Sequence, residues 1–208
     1  MKSEVPRLGT QICKGKATTV TAPPTDQPLT PRALRILETA SQLFYRHGIH
    51  AVGVDTIAAE SGVTKRTLYD RFGSKDALVT AYLQRRHDDW WARLEDRLAG
   101  AGGPRALAVF DAYAEDAPAV ERGCAFLNGA AELPTDHPGM VVVRDHKQQV
   151  QRRLRELVAE DCPHLEDPRA VADHVFLLLE GAVAHRGIDE DDHRLAQARG
   201  LAGDLLLP

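Results

Sequence analysis

From Thr30 onward the apolar positions recur with helical spacing. Ile36, Leu37, Ala40, Leu43 and Phe44 fall at i, i+1, i+4, i+7 and i+8, one stripe along a first helix. Thr30 is suited to cap it, Pro31 fits a first turn that needs no N–H, and Gly48 ends it. A short second helix is predicted from Gly53 to Glu60. Val52 and Ile57 sit at the two positions of a hydrophobic staple, Asp55 complements the first-turn dipole, and Gly62 supplies the left-handed exit. A third helix follows over Lys65–Phe72, capped by Thr64, stapled by Val63 and Leu68, and stopped by Gly73. Ser74 then caps a long fourth helix that runs from Lys75 to about Ala99, where Gly100, Gly102 and Gly103 break it.

The rest of the chain continues in the same period, punctuated by proline and glycine. Helices are predicted from Pro104 to about Asp116, Val120 to Leu133, Pro138 to Asp161, Pro168 to about His185, and Asp189 to about Leu206. Glu190, Asp191 and Asp192 are read as the first turn of the last of these. No segment alternates with the period of a strand. The expected fold is therefore all-α, with about nine helices. Residues 1–28, with Pro6, Pro23, Pro24 and Pro28 and no apolar period, read as a flexible tail. Residues 29–84 read as one domain and 85–208 as a second.

Composition narrows the function. In 208 residues, 43% are hydrophobic but only 5% aromatic, which suits a core of Leu, Val and Ala in helices. The longest strongly apolar run, Val175 to Leu179, is far shorter than the ~20 residues a membrane helix needs. Neither a secretory signal nor a membrane span is expected, and the chain is read as cytoplasmic. Cys13, Cys124 and Cys162 form no C-x-x-C pair, which argues against a disulfide framework or a zinc knuckle. The net charge of −4 hides an asymmetry: residues 1–84 carry 11 basic and 7 acidic side chains, and the remainder 15 and 23. A basic N-terminal part on an acidic C-terminal one fits a nucleic-acid protein.

The second and third helices, joined by Gly62-Val63-Thr64, have the spacing of a helix-turn-helix. Its second helix enters the major groove, and here it would present Lys65, Arg66 and Thr67, with Arg71 further along. Lys and Arg suit guanine O6 and N7, and Thr can bond or offer its methyl to thymine. Tyr69 carries a hydroxyl suited to a phosphate oxygen. Lys75 lies at a helix N-terminus, where its ammonium and free N–H groups can hold a phosphate. Arg66 and Asp70, at i and i+4, can equally pair on a solvated surface.

Residues 36–79 closely resemble the DNA-binding domain of TetR/AcrR-type transcriptional regulators. The resemblance rests on VDTIAAESGV, TKRTLYDRF and GSKDAL, above all on the T-L-Y-x-x-F-x-S-K run of Thr67–Lys75. It implies a three-helix DNA-binding domain, a linking fourth helix, and a C-terminal helical domain that dimerises through its last two helices and holds an effector pocket. Lys65, Arg66, Thr67, Tyr69 and Lys75 match positions at the family's DNA interface. Two residues depart from the pattern: Gly53 stands where Ser or Thr often caps the second helix, and Asp70 puts an acid in the recognition helix. Arg122 to Asn128 resembles the sixth helix of one subset of these regulators.

In the C-terminal domain the eighth helix is apolar nearly all round, so two sides must be buried, one of them most simply against a second subunit. Leu178, Ala182 and His185 on that helix, with Leu195, Ala198, Leu201, Ala202 and Leu205 on the ninth, are the candidate dimer residues. A two-fold dimer suits a pseudo-palindromic double-stranded operator. Trp91, Phe110, Tyr113, Phe126, Asn128, His146 and Phe176 are the candidate effector contacts, because an apolar cavity with a few polar groups is the usual ligand site. His137, His146, His174 and His185 are the histidines considered for a metal, though no H-x-x-x-H pair shares a helix; no metal and no cofactor is expected. Phosphate loops and a G-x-S-x-G elbow are absent from the sequence, so the chain is not read as an enzyme. The expected function is a DNA-binding transcriptional regulator, most simply a repressor released by a small molecule. The alternatives are a metal-responsive regulator and a helical interaction protein.

Overall fold

A computed structural model of the chain describes residues 29–116 and 122–207. The expectation for 1–28 and the start of the sixth helix at Val120 lie outside the described residues. Within them the chain forms nine α-helices and one 3-10 turn: α1 Pro31–His47, α2 Val54–Glu60, α3 Lys65–Phe72, α4 Lys75–Gly100, the turn Arg105–Leu107, α5 Ala108–Glu115, α6 Ala125–Glu132, α7 Gly139–Asp161, α8 Pro168–Asp189 and α9 His193–Leu206.

The caps form as the residue types require. The Thr30 hydroxyl accepts from the Ala33 N–H, Thr64 from Thr67, Ser74 from Ala77 and the Asp167 carboxylate from Ala170. Gly48, Gly62 and Gly73 take positive φ at the exits of α1, α2 and α3. In the N-terminal unit, Ile36, Leu37, Ala40, Leu43 and Phe44 of α1 are buried against Ile57 of α2, Leu68 and Phe72 of α3, and Leu78, Val79, Tyr82 and Leu83 of α4. The same core continues along α4 through Trp90, Leu94 and Leu98 into the C-terminal unit, where α7 lies against α4 and α8 against both α7 and α9. One helix thus belongs to both units.

Three boundaries differ from expectation. The predicted fifth helix starts as a 3-10 turn, and its first α-helical residue is Ala108. Helix α8 runs through Gly187 to Asp189 instead of stopping near His185. In consequence α9 starts at His193, and Glu190, Asp191 and Asp192 form the link and not a first turn. The reason is tertiary. Arg186, 3% exposed, must stay helical to reach the end of α5, where it donates to the Tyr113 carbonyl at 2.6 Å and to the Ala114 carbonyl at 3.0 Å, while Asp192 holds its Nε at 2.5 Å.

The dimer candidates divide. Ala182, Leu195, Ala198 and Ala202 are at most 6% exposed and pack into the core of their own subunit, so they are corrected from contact residues to core residues. The small alanines at 182, 198 and 202 let α8 and α9 approach each other closely. Leu201 and Leu205 point outward, Leu178 is half-buried, and His185 is half-buried with Nδ1 3.6 Å from Asp189. Leu177 and Ile188, at 66% and 71% exposure, flank Gly181 and Ala184 on the outer side of α8 and complete an apolar stripe.

Candidate nucleic-acid interface

Leu68 and Phe72 pin α3 to the core, so Lys65, Arg66, Tyr69, Asp70 and Arg71 all face solvent. The turn before it is fixed by backbone bonds from Gly62 to Ala59 and Val63 to Ala58, and by the Ser61 hydroxyl on the Ile57 carbonyl. Arg66 stands in water, its side chain 91% exposed and its Nε 3.9 Å from Asp70. A pair so open to water holds little energy and can be exchanged for a base edge. Lys65 lies 2.9 Å from Asp55 of α2, and that hydrogen bond raises its pKa above the ordinary lysine value. The ammonium remains charged at any physiological pH. Thr67 is half-buried, and its hydroxyl lies 2.9 Å from the Thr64 hydroxyl within the cap. Gly53 caps α2 without a side-chain bond.

Lys75 differs from expectation. It was read as a phosphate contact, but its Nζ turns inward, donating to the Ile49 carbonyl at 2.7 Å with the Phe44 ring 6.0 Å away. Burial lowers its pKa. The group ties the start of α4 to the loop between α1 and α2, where the Ile49 carbonyl would otherwise lack a partner.

Behind this interface α1 and its exit loop are bolted to the C-terminal unit. The Tyr45 hydroxyl donates to the Gly123 carbonyl at 3.1 Å, and the Glu132 carboxylate accepts from the His50 N–H at 2.9 Å while pairing with Arg122 at 3.4 Å. A Cβ at Gly48 would come within 2.9 Å of the Arg122 guanidinium. Gly123 and Gly187 cross backbone to backbone, and a Cβ on either would lie 2.8 Å from the other strand of chain. Helix α8 therefore touches, through the segment 122–123, a residue of the DNA-binding domain.

The effector candidates also divide. Trp91, Tyr113, Phe126 and His146 come together. His146 stacks on Phe126 with centroids 3.7 Å apart, and its Nε2 lies 3.1 Å from the Tyr113 hydroxyl. Its Nδ1 lies 3.2 Å from Nδ1 of His87, whose ring packs against Trp91. Burial, reinforced by Lys147, His87 and Arg86, pushes His146 down to a pKa of about 2. The ring is therefore neutral, with one nitrogen donating and the other accepting. Lys147 is half-buried beside it, 2.8 Å from Glu180 and 3.4 Å from the Tyr113 hydroxyl. Burial alone would lower its pKa, but Cys124, Tyr113 and Glu180 outweigh that and raise it. Phe110 is core. Phe176 is half-buried on α8. Asn128 donates to the Arg122 carbonyl at 2.7 Å and lines a separate surface pocket of about 260 Å³ with Cys124, Leu127 and Ile188.

The sequence reading missed Trp90, Arg86 and Asp116. Trp90 is fully buried against Tyr113 and Trp91, and Arg86 and Arg93 both pair with the buried Asp116 carboxylate. The signal available was Arg86, Trp90 and Arg93 at i, i+4 and i+7, which puts a buried ring and two cations on one face of α4. Among the described residues no three of His, Cys, Asp and Glu are grouped to hold a metal ion, and no helix is long and apolar enough to cross a membrane.

Comparison with known proteins agrees with this geometry. Residues 36–82 match the sequence profile of bacterial regulatory proteins of the tetR family. A TetR-family transcriptional regulator from Streptomyces coelicolor superposes with a TM-score of 0.76 at 30% identity, over 84% of this chain and 94% of that one. The transcriptional activator FasR of Mycolicibacterium smegmatis is 44% identical over 62 residues, which is 30% of this chain and 28% of that protein. This match thus spans little more than a quarter of the activator's length. The transcriptional repressor ComR of Escherichia coli is 26% identical over 160 residues, 70% of this chain and 74% of that one.

Proposed function

Since the chain belongs to the TetR family of bacterial regulatory proteins, and is a DNA-binding transcriptional regulator, we propose that it is a cytoplasmic homodimeric repressor released from a pseudo-palindromic operator by a small organic molecule. The observation that carries the reading is the outer face of α3, where Lys65, Arg66, Tyr69 and Arg71 stand in solvent on a helix fixed from behind by Leu68 and Phe72. Arg66 is assigned to a guanine edge, with Asp70 orienting it, and Lys65, Tyr69 and Arg71 to the neighbouring backbone. Thr67 offers its methyl. Lys75 positions the α4 N-terminus, whose N–H groups face the phosphate.

The stripe of Leu177, Gly181, Ala184, Ile188, Leu201 and Leu205 supports the dimer, because an apolar face this long on two adjacent helices is otherwise left in water. A two-fold axis there places two α3 helices on successive major grooves. Repression is preferred because the repressor ComR is matched over both units, whereas the activator is matched over 62 residues. The buried ring cluster of Trp91, Tyr113, Phe126 and His146 is read as an effector site, with recognition and not catalysis as its task. A ligand that binds one arrangement of α4 better than the other shifts the spacing of the two α3 helices by that difference in affinity.

The test is selection of sites from random duplex DNA by the full chain at two salt concentrations. A recovered pseudo-palindrome, bound more weakly as salt rises, is the expected result. A folded dimer that recovers no site, or one whose best site has a single half, overturns the proposal.

A further inference from the structure

Four buried donors without a hydrogen-bond partner lie within two turns of α4: Arg86 Nε, Trp90 Nε1, Trp91 Nε1 and Arg93 Nε. Buried polar atoms are nearly always paired, so a cluster of orphans calls for a cause. All four are donors, and the group that would satisfy them must be an acceptor. Arg86, Trp90 and Arg93 share one face of the helix. Both guanidiniums already hold Asp116, Arg86 at 2.7 Å, and that carboxylate is 9% exposed. Two cations on one anion leave a positive charge that only partial solvation offsets. A buried charge of this kind is stabilised by a second anion.

We infer that this clamp takes an organic anion, a carboxylate on a flat aromatic frame, with the carboxylate on Arg86 and Arg93 and the ring against Trp90. The inference rests on the proposed effector reading and names its ligand class. The wall is in place: Trp90 lies 4.9 Å from Tyr113 and 5.2 Å, edge-on, from Trp91. Entry is through Arg93, whose side chain is 40% exposed. Asp116 takes one terminal N–H of each guanidinium, and an incoming carboxylate competes with it for them while using the Nε–H groups left unpaired. The link to DNA runs through Arg86, whose guanidinium lies 5.3 Å over the ring of Tyr45 in α1. Re-aiming Arg86 toward a ligand loosens that contact.

Both tryptophans of the chain lie in this cluster, so the tryptophan emission of the full chain, excited where tyrosine does not absorb, reports on it. The probes are phenylacetate and 3-phenylpropanoate, their primary amides, and inorganic phosphate. Both acids are expected to change the emission saturably, at least about tenfold tighter than the amides, with phosphate silent at the same concentrations. R93M should bring the acid-to-amide ratio near one while the amides bind as before. D116N removes the internal competitor, so the acids should bind it at least about tenfold tighter than wild type and raise its melting temperature further. Amides as tight as acids, phosphate as effective as the acids (an inorganic-anion site), or a folded D116N that binds neither acid would each overturn the inference. A neutral molecule that changes the emission and releases the operator leaves the effector reading standing and sinks the anion. Acids that bind but leave the operator occupied support the clamp and sink the effector reading.

Discussion

His146 is fully buried in contact with Phe126, Tyr113 and His87, and its folded pKa near 2 lies below the ordinary histidine value of 6.5. The unfolded chain therefore binds more protons than the folded one between these values. Stability is complete above pH 6.5 and falls as the pH drops below it, by up to about 1.4 kcal/mol per unit for one such group. His87, also lowered by burial, acts in the same direction. The unfolding free energy from urea titrations should fall by roughly 1 kcal/mol between pH 7 and 5.5, and His146→Asn should flatten that dependence. An unchanged slope in the variant would assign the effect to other groups. At the DNA face, Arg66→Ala should weaken the selected operator by about 1–3 kcal/mol and relax one base position, with the melting temperature unmoved because the side chain is in water. Lys75→Met should do the opposite. Loss of its bond to Ile49 leaves a carbonyl unpaired and lowers unfolding stability by about 1–3 kcal/mol, a loss read directly in a denaturant titration. The sequence reads both as DNA contacts, Arg66 at a base edge and Lys75 at a phosphate. Only their surroundings separate a reader from a strut, because direction of a lysine side chain is set by whichever acceptor the fold brings within reach.

Helices α1 to α4 were legible because each carries local signals drawn from cap, staple, stripe and glycine exit within a few residues of one another. The end of α8 was not. Gly187 looks like a terminator, yet the helix passes through it because Arg186 is held by α5 and because the segment at Gly123 needs a residue without Cβ to cross. Gly187→Ala should therefore destabilise by about 1–3 kcal/mol even though alanine is the better helix former, and thermal melts decide the sign. The outer face of α8 and α9 makes a different demand. Ile188→Asp should leave the subunit folded and shift it to monomer in sedimentation, with operator affinity lost as a result. A variant that stays dimeric would move the interface elsewhere.

Across the whole molecule, two kinds of link join the units: the helix α4, and the side-chain contacts of α1 and its exit loop with the segments at Gly123 and Glu132. One is a continuous helix whose direction is fixed by packing at both ends. The other includes the Tyr45 hydroxyl bond to Gly123, whose far side rests on α8. Tyr45→Phe should leave the affinities for operator and effector separately near wild type and reduce their coupling by about 1 kcal/mol. Operator titrations with and without effector measure that difference, and unchanged coupling would assign the communication to the remaining links.

The sequence by itself determined the secondary structure of the DNA-binding unit, the all-α class, and which helix of the helix-turn-helix presents exposed cations, because these depend on contacts between near neighbours in the chain. It also brought four of seven effector candidates to one place, since large rings in an aromatic-poor chain must share the same core. Tertiary structure alone decided that four small or leucine side chains of α8 and α9 serve the subunit and not its partner. It decided too that Arg86 and Arg93 converge on Asp116 and that Lys75 faces inward. Each of these turns on which of several exposed-looking positions meets a segment distant in the chain, a matter of packing that periodicity does not encode.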